Sequence, residues 1–380
     1  MIPGPIELEP AVLRALGEKT TSHVDARFIA AFGRALSALR QVAQADGAQP
    51  FIIAGSGTLA MEMAVQNLVE PGEAAVVVNT GYFSDRIGAM LERAGAHVTH
   101  VGASPGDAPA EADVEAALVK TRPKVLTITH VDTSTGVRAP LERLAALGKK
   151  HGALVVVDAV CSLGAEEIRA TAWGLDVVFA GSQKALGAPP GLAVLTASPA
   201  AQAAHAARTR PVASMYADFA EWLPIMRAYE AGTPSYFATP AVNLVRALDV
   251  SLASLLEEGM SARVARHART AAAFRAGATA LGLTGLPARP ELAAHTLSAL
   301  RYPAGVDGAL VGRVRERGVT VAGGLHPALK ATYFRVGHMG AVSPSDIVAA
   351  VAAVGRALAA SGHACDPGAA VAAATRALDA

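Results

Sequence analysis

The sequence predicts an α/β protein with two domains: a large one built on a mostly parallel sheet covered by helices, and a small C-terminal α+β domain. Three observations carry this. The chain has 380 residues, beyond the roughly 250–300 at which one hydrophobic core usually stops growing. Between residues 50 and 200, short β-branched runs alternate with amphipathic helical patterns, as βαβ units require. After about residue 240 that alternation gives way to two long helical stretches and a different mixture of elements.

The strands of the first region are expected at Pro50–Ala54, Ala74–Asn79, Lys124–His130, Leu154–Asp158, Val177–Ala180 and Leu192–Thr196. All are short apolar runs of the length a buried strand needs. Between them, Leu59–Val69, Arg86–Ala94, Val114–Thr121 and Leu141–His151 repeat apolar residues at three-and-four spacing with charge on the other face. Helices then follow at Ala241–Glu258, ending at Gly259, and from Ser261 to about Leu281. The remainder reads as strand Leu297–Tyr302, helix Leu310–Arg317, strands Val319–Ala322 and Thr332–Val336, helix Ser345–Ala360 and an Ala-rich surface helix Pro367–Leu378. The expected partition is an N-terminal arm over 1–20, a large domain over 21–258 and a small domain over 259–380.

Lys and Arg number 33 against 32 Asp and Glu, leaving no field of one sign to hold a phosphate backbone or an anionic membrane. Nucleic acid and membrane are therefore not expected partners. The apolar stretches, such as Ile347–Val354, stop well short of a span. The first residues lack a basic-then-apolar leader, and there are only two cysteines, Cys161 and Cys365. A reduced, cytoplasmic protein without a disulfide framework or a metal site is expected.

In open α/β sheets ligands sit at the carboxyl ends of the strands, and three such places carry chemistry. Gly55-Ser56-Gly57-Thr58 follows the first strand and precedes a helix, so its backbone N–H groups could face an anion such as phosphate at a helix N-terminus; equally, Ser56 or Thr58 could simply cap that helix. It is not the dinucleotide fingerprint, since Ala60 stands where the third glycine belongs. Asp158 ends a near-continuous apolar strand, where a buried acid needs a cation to stay ionised, although an N-cap role is as compatible with its position. Lys184 lies in a Gly/Pro-rich turn between two strands, a place where a lone lysine is commonly a solvated charge. Together, a phosphate cradle, an acid and a lysine twenty-six residues apart are the parts that hold pyridoxal phosphate: backbone donors for the phosphate, an acid for the ring nitrogen, an amine for the aldehyde.

The whole chain resembles the class V, fold-type I pyridoxal phosphate aminotransferases, and within them the fungal type of alanine:glyoxylate aminotransferase. The resemblance rests on Ile2-Pro3-Gly4-Pro5, Ala54-Gly55-Ser56-Gly57-Thr58, His130-Val131-Asp132-Thr133-Ser134-Thr135-Gly136 and Val157-Asp158-Ala159-Val160-Cys161-Ser162. It continues through Ser182-Gln183-Lys184-Ala185, Tyr229-Glu230-Ala231-Gly232, Tyr236-Phe237-Ala238-Thr239-Pro240 and Arg335-Val336-Gly337-His338-Met339-Gly340. It implies a seven-stranded type of sheet in the large domain. Lys184 resembles the Schiff-base lysine and proton shuttle, Asp158 the partner of the pyridine nitrogen and Val160 the residue packed under the ring. Phe83 resembles the aromatic on the opposite ring face, where mammalian-type members usually carry Trp. Ser56, Gly57 and Thr58 with Gln183 resemble the phosphate site, and Thr133 the hydroxyl that bonds the cofactor's phenolic oxygen. The resemblance further implies a homodimer with shared active sites, Tyr236 and Thr239 reaching the phosphate of the other subunit. Arg335 matches the arginine that grips the substrate carboxylate, which without the family could be a rim charge, and Gly4 the glycine that closes the pocket. His130 and His338 are read as satisfied structural imidazoles.

The activity so implied is ping-pong transamination between a small amino acid, alanine first, and glyoxylate, giving pyruvate and glycine. Serine, 2-aminoethylphosphonate or pyridoxamine are alternative donors, the last two with pyruvate as acceptor. A lyase or desulfurase of the same fold would need an accessible thiolate on a mobile loop, which neither Cys161 nor Cys365 supplies by position. A nicotinamide-dependent dehydrogenase lacks its fingerprint here, and a non-catalytic scaffold would be free to lose Lys184 or Asp158.

Overall fold

The computed structural model describes residues 1–380. Two helices, α1 (Pro10–Leu16) and α2 (Ala26–Val42), precede the sheet region. Then come β1 (Gln49–Ala54), α3 (Gly57–Leu68), β2 (Ala74–Asn79), α4 (Tyr82–Arg93), β3 (His97–Gly102), α5 (Glu111–Thr121) and β4 (Val125–Thr129). A short hairpin, β5 (Val131–Asp132) and β6 (Val137–Arg138), leads to α6 (Leu141–Lys150), β7 (Leu154–Asp158), β8 (Val177–Gly181) and β9 (Leu192–Ala197). Seven of these strands form one sheet in the order β1-β9-β8-β7-β4-β2-β3, in which only β9 runs antiparallel to its neighbours. The central strands β4, β7 and β8 are buried on both faces, as their unbroken apolar runs require.

After α7 (Pro199–Ala206) and α8 (Phe219–Glu230), the long helices α9 (Val242–Glu258) and α10 (Met260–Ala280) meet at Gly259, whose φ of 81° few side chains would accept. The small α+β domain adds β10 (Leu297–Arg301), α11 (Ala309–Arg315), β11 (Ala322–Gly323), β12 (Tyr333–Gly337), α12 (Pro344–Ala360) and α13 (Pro367–Asp379). Its sheet is antiparallel in the order β10-β12-β11, and it has a hydrophobic core separate from that of the large sheet. No helix is long and apolar enough to cross a membrane.

Three differences from the sequence reading have local causes. The edge strand β3 has no apolar run: its partly exposed His97, Thr99 and His100 reflect one neighbour and a solvated edge. The strand expected at Val319–Ala322 begins only at Ala322, because Gly318 (φ 84°) turns the chain and the Val319 N–H returns to the Val314 carbonyl. Helix α4 starts at Tyr82 rather than Arg86 because the Asp132 carboxylate, remote in sequence, accepts from the N–H groups of Phe83 and Ser84.

Candidate active site

The register of the central sheet places Thr129 of β4, Asp158 of β7 and Phe179 of β8 side by side. The loops leaving these strands therefore meet at one edge, as the rule for open α/β sheets requires. The head of α3 joins them from β1. A Cβ on Gly57 would come within 2.9 Å of Val160 Cγ2, and one on Gly181 within 2.7 Å of Gln183 Oε1 and 3.2 Å of the Gly57 nitrogen. Gly57, Val160 and Gln183 thus lie close together around Gly181, with the exposed Ser56 and Thr58 flanking Gly57. Ser56 is the N-cap residue of α3, yet its side chain makes no capping bond, so the head of the helix keeps donors free.

Asp158 is buried and accepts one bond, 2.9 Å from the Val160 N–H, with no cation within salt-bridge distance. Burial, reinforced by the nearby Asp132 charge, pushes its carboxyl up to about 7. The structure thus keeps a costly acid at the end of β7 without the cation that the sequence argument demands. Lys184 is also largely enclosed; its ammonium donates to the Pro3 carbonyl, and burial holds it below its ordinary pKa. The N-terminal arm lies directly on this lysine. Gly4 has φ 104°, and a Cβ there would come within 2.6 Å of Lys184 Nζ.

Arg335 reaches the same region from β12 of the small domain. Its Nε donates to the Gly323 carbonyl (2.9 Å) and its Nη1 to the Thr133 carbonyl (3.0 Å), while no carboxylate pairs with it. At 9 % exposure, a guanidinium with only neutral acceptors is poised for an anion, and its planar fork suits a carboxylate. Thr133 is itself buried beside the Cys161 thiol.

Phe83 stands on the first turn of α4 with its ring edge-on to Tyr82, centroids 5.4 Å apart. Its backbone is held by Asp132, a fully buried acid to which the sequence reading gave no role. Asp132 accepts from the N–H groups of Phe83 (3.0 Å) and Ser134 (2.9 Å) and from the Ser134 hydroxyl (2.5 Å). Ser134 Oγ in turn accepts from the Tyr82 N–H (3.1 Å), and Tyr333 of β12 donates to the Ser134 carbonyl. One buried carboxylate therefore locks the α4 head to the loop that carries Thr133, and that loop to the small domain. The available signal was Asp-x-Ser immediately after a strand, an Asx-turn pattern.

The exposed Tyr236 and Thr239 lie together, their hydroxyls 3.4 Å apart, and neither bonds to the residues above within one chain. His338 is satisfied as expected, contacting the His295 carbonyl (2.9 Å) and the Ser298 hydroxyl (3.0 Å), and burial takes it down to about 3. His130 departs from the expectation: it is buried, its Nδ1 finds no partner, and burial lowers it to about 4. Cys161 is enclosed 3.6 Å from Thr296 Oγ1, and burial raises its thiol pKa, contrary to what a reactive thiolate needs.

The donor set fits pyridoxal phosphate on three counts: an acid with no salt-bridge partner, a lysine of lowered pKa within its field, and an uncapped helix head whose glycine admits no side chain.

Comparison with known proteins gives the family of the chain. Residues 11–367 match the family model described as aminotransferase class-V. The chain is 37% identical over 357 residues to alanine–glyoxylate aminotransferase 1 of Saccharomyces cerevisiae, covering 90% of this chain and 91% of the yeast protein. It is 31% identical to L-aspartate–glyoxylate aminotransferase of Paracoccus denitrificans, over 92% of this chain and 88% of that one. The crystal structure of ureidoglycine–glyoxylate aminotransferase from Bacillus subtilis superposes with a TM-score of 0.94 at 26% identity, covering 100% of this chain and 97% of the other.

Proposed function

The chain belongs to the class-V aminotransferases, pyridoxal phosphate-dependent transaminases of small amino acids and 2-oxo acids, and on that premise we propose that it transfers the amino group of alanine to glyoxylate. Pyridoxal phosphate, when bound, supplies an aldehyde that takes up the amino group and a ring that delocalises the electrons left at Cα. In this reading Ser56, Gly57, Thr58 and Gln183 receive its phosphate, Val160 and Phe83 enclose its ring, Thr133 bonds the phenolic oxygen, and Asp158 holds the ring nitrogen protonated. Lys184 would hold the aldehyde and, with substrate in place, its amine would carry the proton at Cα. Burial lowers its pKa, the direction that favours the free amine a base requires. Gly4 brings the arm close enough to exclude water from that amine.

Arg335 orients the substrate by its α-carboxylate, and the observation that carries the substrate proposal is that it is the unpaired guanidinium on the small-domain side of the cluster. Of the other candidates, Arg86 is held at the Thr58 hydroxyl, at the far end of the cluster from Arg335, and Arg208 is committed to the Val69 carbonyl at 3.0 Å. A distal carboxylate would therefore be desolvated without a cation, a penalty of several kcal/mol. Alanine and glyoxylate carry only the carboxylate that Arg335 takes. Rates of reoxidation of the amine-loaded enzyme by glyoxylate, pyruvate and 2-oxoglutarate, measured in parallel, test this: glyoxylate should lead by orders of magnitude over 2-oxoglutarate. Equal rates would refute the pocket as described and favour a site that also takes a dicarboxylate, such as the L-aspartate for which the Paracoccus relative is named.

The proposal includes a homodimer in which Tyr236 and Thr239 complete the partner's phosphate site. It is supported by the exposure of Tyr236 (62 %) and Met215 (64 %), large side chains that water serves poorly.

A further inference from the structure

Every residue assigned above to the cofactor phosphate is formally neutral: Ser56, Gly57, Thr58, Gln183, Tyr236 and Thr239. A phosphate monoester carries a charge of about −1.5 to −2 near pH 7, whereas a helix head supplies only about half a positive charge. The cradle is thus electrostatically incomplete, and the missing cation must come from a neighbouring element.

One guanidinium touches it. Arg86 lies one turn beyond Phe83 on α4, hence on the same face of that helix. Its Nη1 donates to Thr58 Oγ1 at 3.1 Å and its Nη2 to the Tyr82 hydroxyl at 3.2 Å. The guanidinium carbon stands 5.0 Å from the ring centroids of both Tyr82 and Phe83, a distance that cation–π attraction favours. It has no carboxylate partner: Asp85, the adjacent acid, instead accepts from Asn79 at 2.6 Å. The field of Arg86 also reaches Asp158, favouring its ionised form. An arginine held by two hydroxyls and two rings at the head of α3, with its charge uncompensated, has the position and chemistry of a phosphate ligand.

We propose that Arg86 is a cofactor-binding residue that neutralises the phosphate of pyridoxal phosphate at the head of α3, so that α4 contributes both the ring-stacking Phe83 and the cation. The proposal rests on the pyridoxal phosphate reading of the site. It differs from a role in reading a distal substrate carboxylate, because the contact with Thr58 ties Arg86 to the phosphate end of the cluster, whereas the carboxylate-binding Arg335 is tied to Thr133 and Gly323.

The test separates phosphate from ring. Full-length wild type, Arg86→Gln and Arg86→Lys, each stripped of cofactor, are titrated with pyridoxal phosphate and, in parallel, with pyridoxal, which lacks the phosphate, and dissociation constants are read from visible absorbance. A charge-assisted contact of ordinary strength predicts a roughly ten- to hundredfold weaker pyridoxal phosphate complex for Arg86→Gln, a pyridoxal affinity within about twofold of wild type, and an intermediate value for Arg86→Lys. The Lys variant, which retains the charge, also answers if Arg86→Gln does not fold. Equal losses for both ligands would overturn the proposal in favour of ring stacking or fold support. Unchanged pyridoxal phosphate affinity with an altered KM for dicarboxylates would overturn it in favour of substrate reading. Failure of the wild type to bind pyridoxal phosphate at all would refute the functional reading, and this inference with it, whereas a failure confined to the Arg86 comparison leaves that reading standing.

Discussion

Replacing Asp158 by Asn should move the stability of the cofactor-free protein and its hold on the cofactor in opposite directions. In the folded chain burial raises this carboxyl to about 7 from an ordinary 3.8. A raised acid binds its proton more tightly in the folded state, so its contribution to stability is intact below pH 4 and is lost progressively as pH rises to 7. At 1.36 kcal/mol per unit, ionised Asp158 costs the cofactor-free fold about 4 kcal/mol above pH 7. Asn does not titrate and can still accept from the Val160 N–H, although its buried amide group, left without a partner, costs about 1–3 kcal/mol. That second penalty does not vary with pH. Between pH 5 and pH 8 the stability difference, Asp158→Asn minus wild type, should therefore rise by about 2–3 kcal/mol in favour of the variant. Urea unfolding of both cofactor-free proteins at the two pH values measures it. With cofactor added, the variant should instead lose about two to four orders of magnitude in affinity, since breaking a buried ion pair costs about 3–5 kcal/mol. A stability difference independent of pH, or unimpaired cofactor binding by Asp158→Asn, would refute the reasoning that this acid is kept in an unfavourable state for the sake of a cation it receives from the ring.

Arg335→Lys keeps the charge but loses the fork and one of the two carbonyl contacts, so KM for both amino donor and oxo-acid acceptor should rise at least tenfold, by about 1.5 kcal/mol or more; steady-state kinetics with an unchanged KM would remove Arg335 from the carboxylate site. If each site is completed by its neighbour, mixing Lys184→Ala chains with Tyr236→Phe, Thr239→Ala chains should restore activity through heterodimers carrying one intact site, and an obligate interface of this kind buries more than about 2,000 Å². A monomer in sedimentation, or a mixture as inactive as its components, would contradict the shared site.

Much of this arrangement was legible because its signals are local. β2 and β7 read directly from the sequence because both lie inside the sheet and are apolar along nearly their whole length; Asp158 stood out as the acid ending such a run, and Lys184 as the lysine in the Gly/Pro-rich turn between two strands. What stayed hidden depends on partners far along the chain. The true start of α4 is set by Asp132, about fifty residues away, and periodicity within the helix carries no trace of it. Arg86 falls on the helical face of Phe83, but only the packing of α4 against the head of α3 shows that its charge is unpaired and directed at Thr58. That no salt bridge reaches Asp158 is likewise a property of the assembled site, and it leaves open the place for the cation that a buried acid needs. β3, solvated along one edge, lacks the apolar run by which the other strands announce themselves.

The central claim is that Lys184, and no other lysine, bears the cofactor. Its position beneath the N-terminal arm, largely enclosed and within the field of Asp158, distinguishes it from Lys149 and Lys150, whose amines are occupied by Asp176 and Glu115 at 2.7 Å each. The direct measurement is borohydride reduction of the cofactor-loaded protein followed by peptide mapping. The visible absorbance band should disappear and a pyridoxyl group should be found on the peptide containing Ser182-Gln183-Lys184-Ala185. A label on Lys149, Lys150 or any other lysine, or a visible band that persists undiminished in Lys184→Ala, would contradict the account.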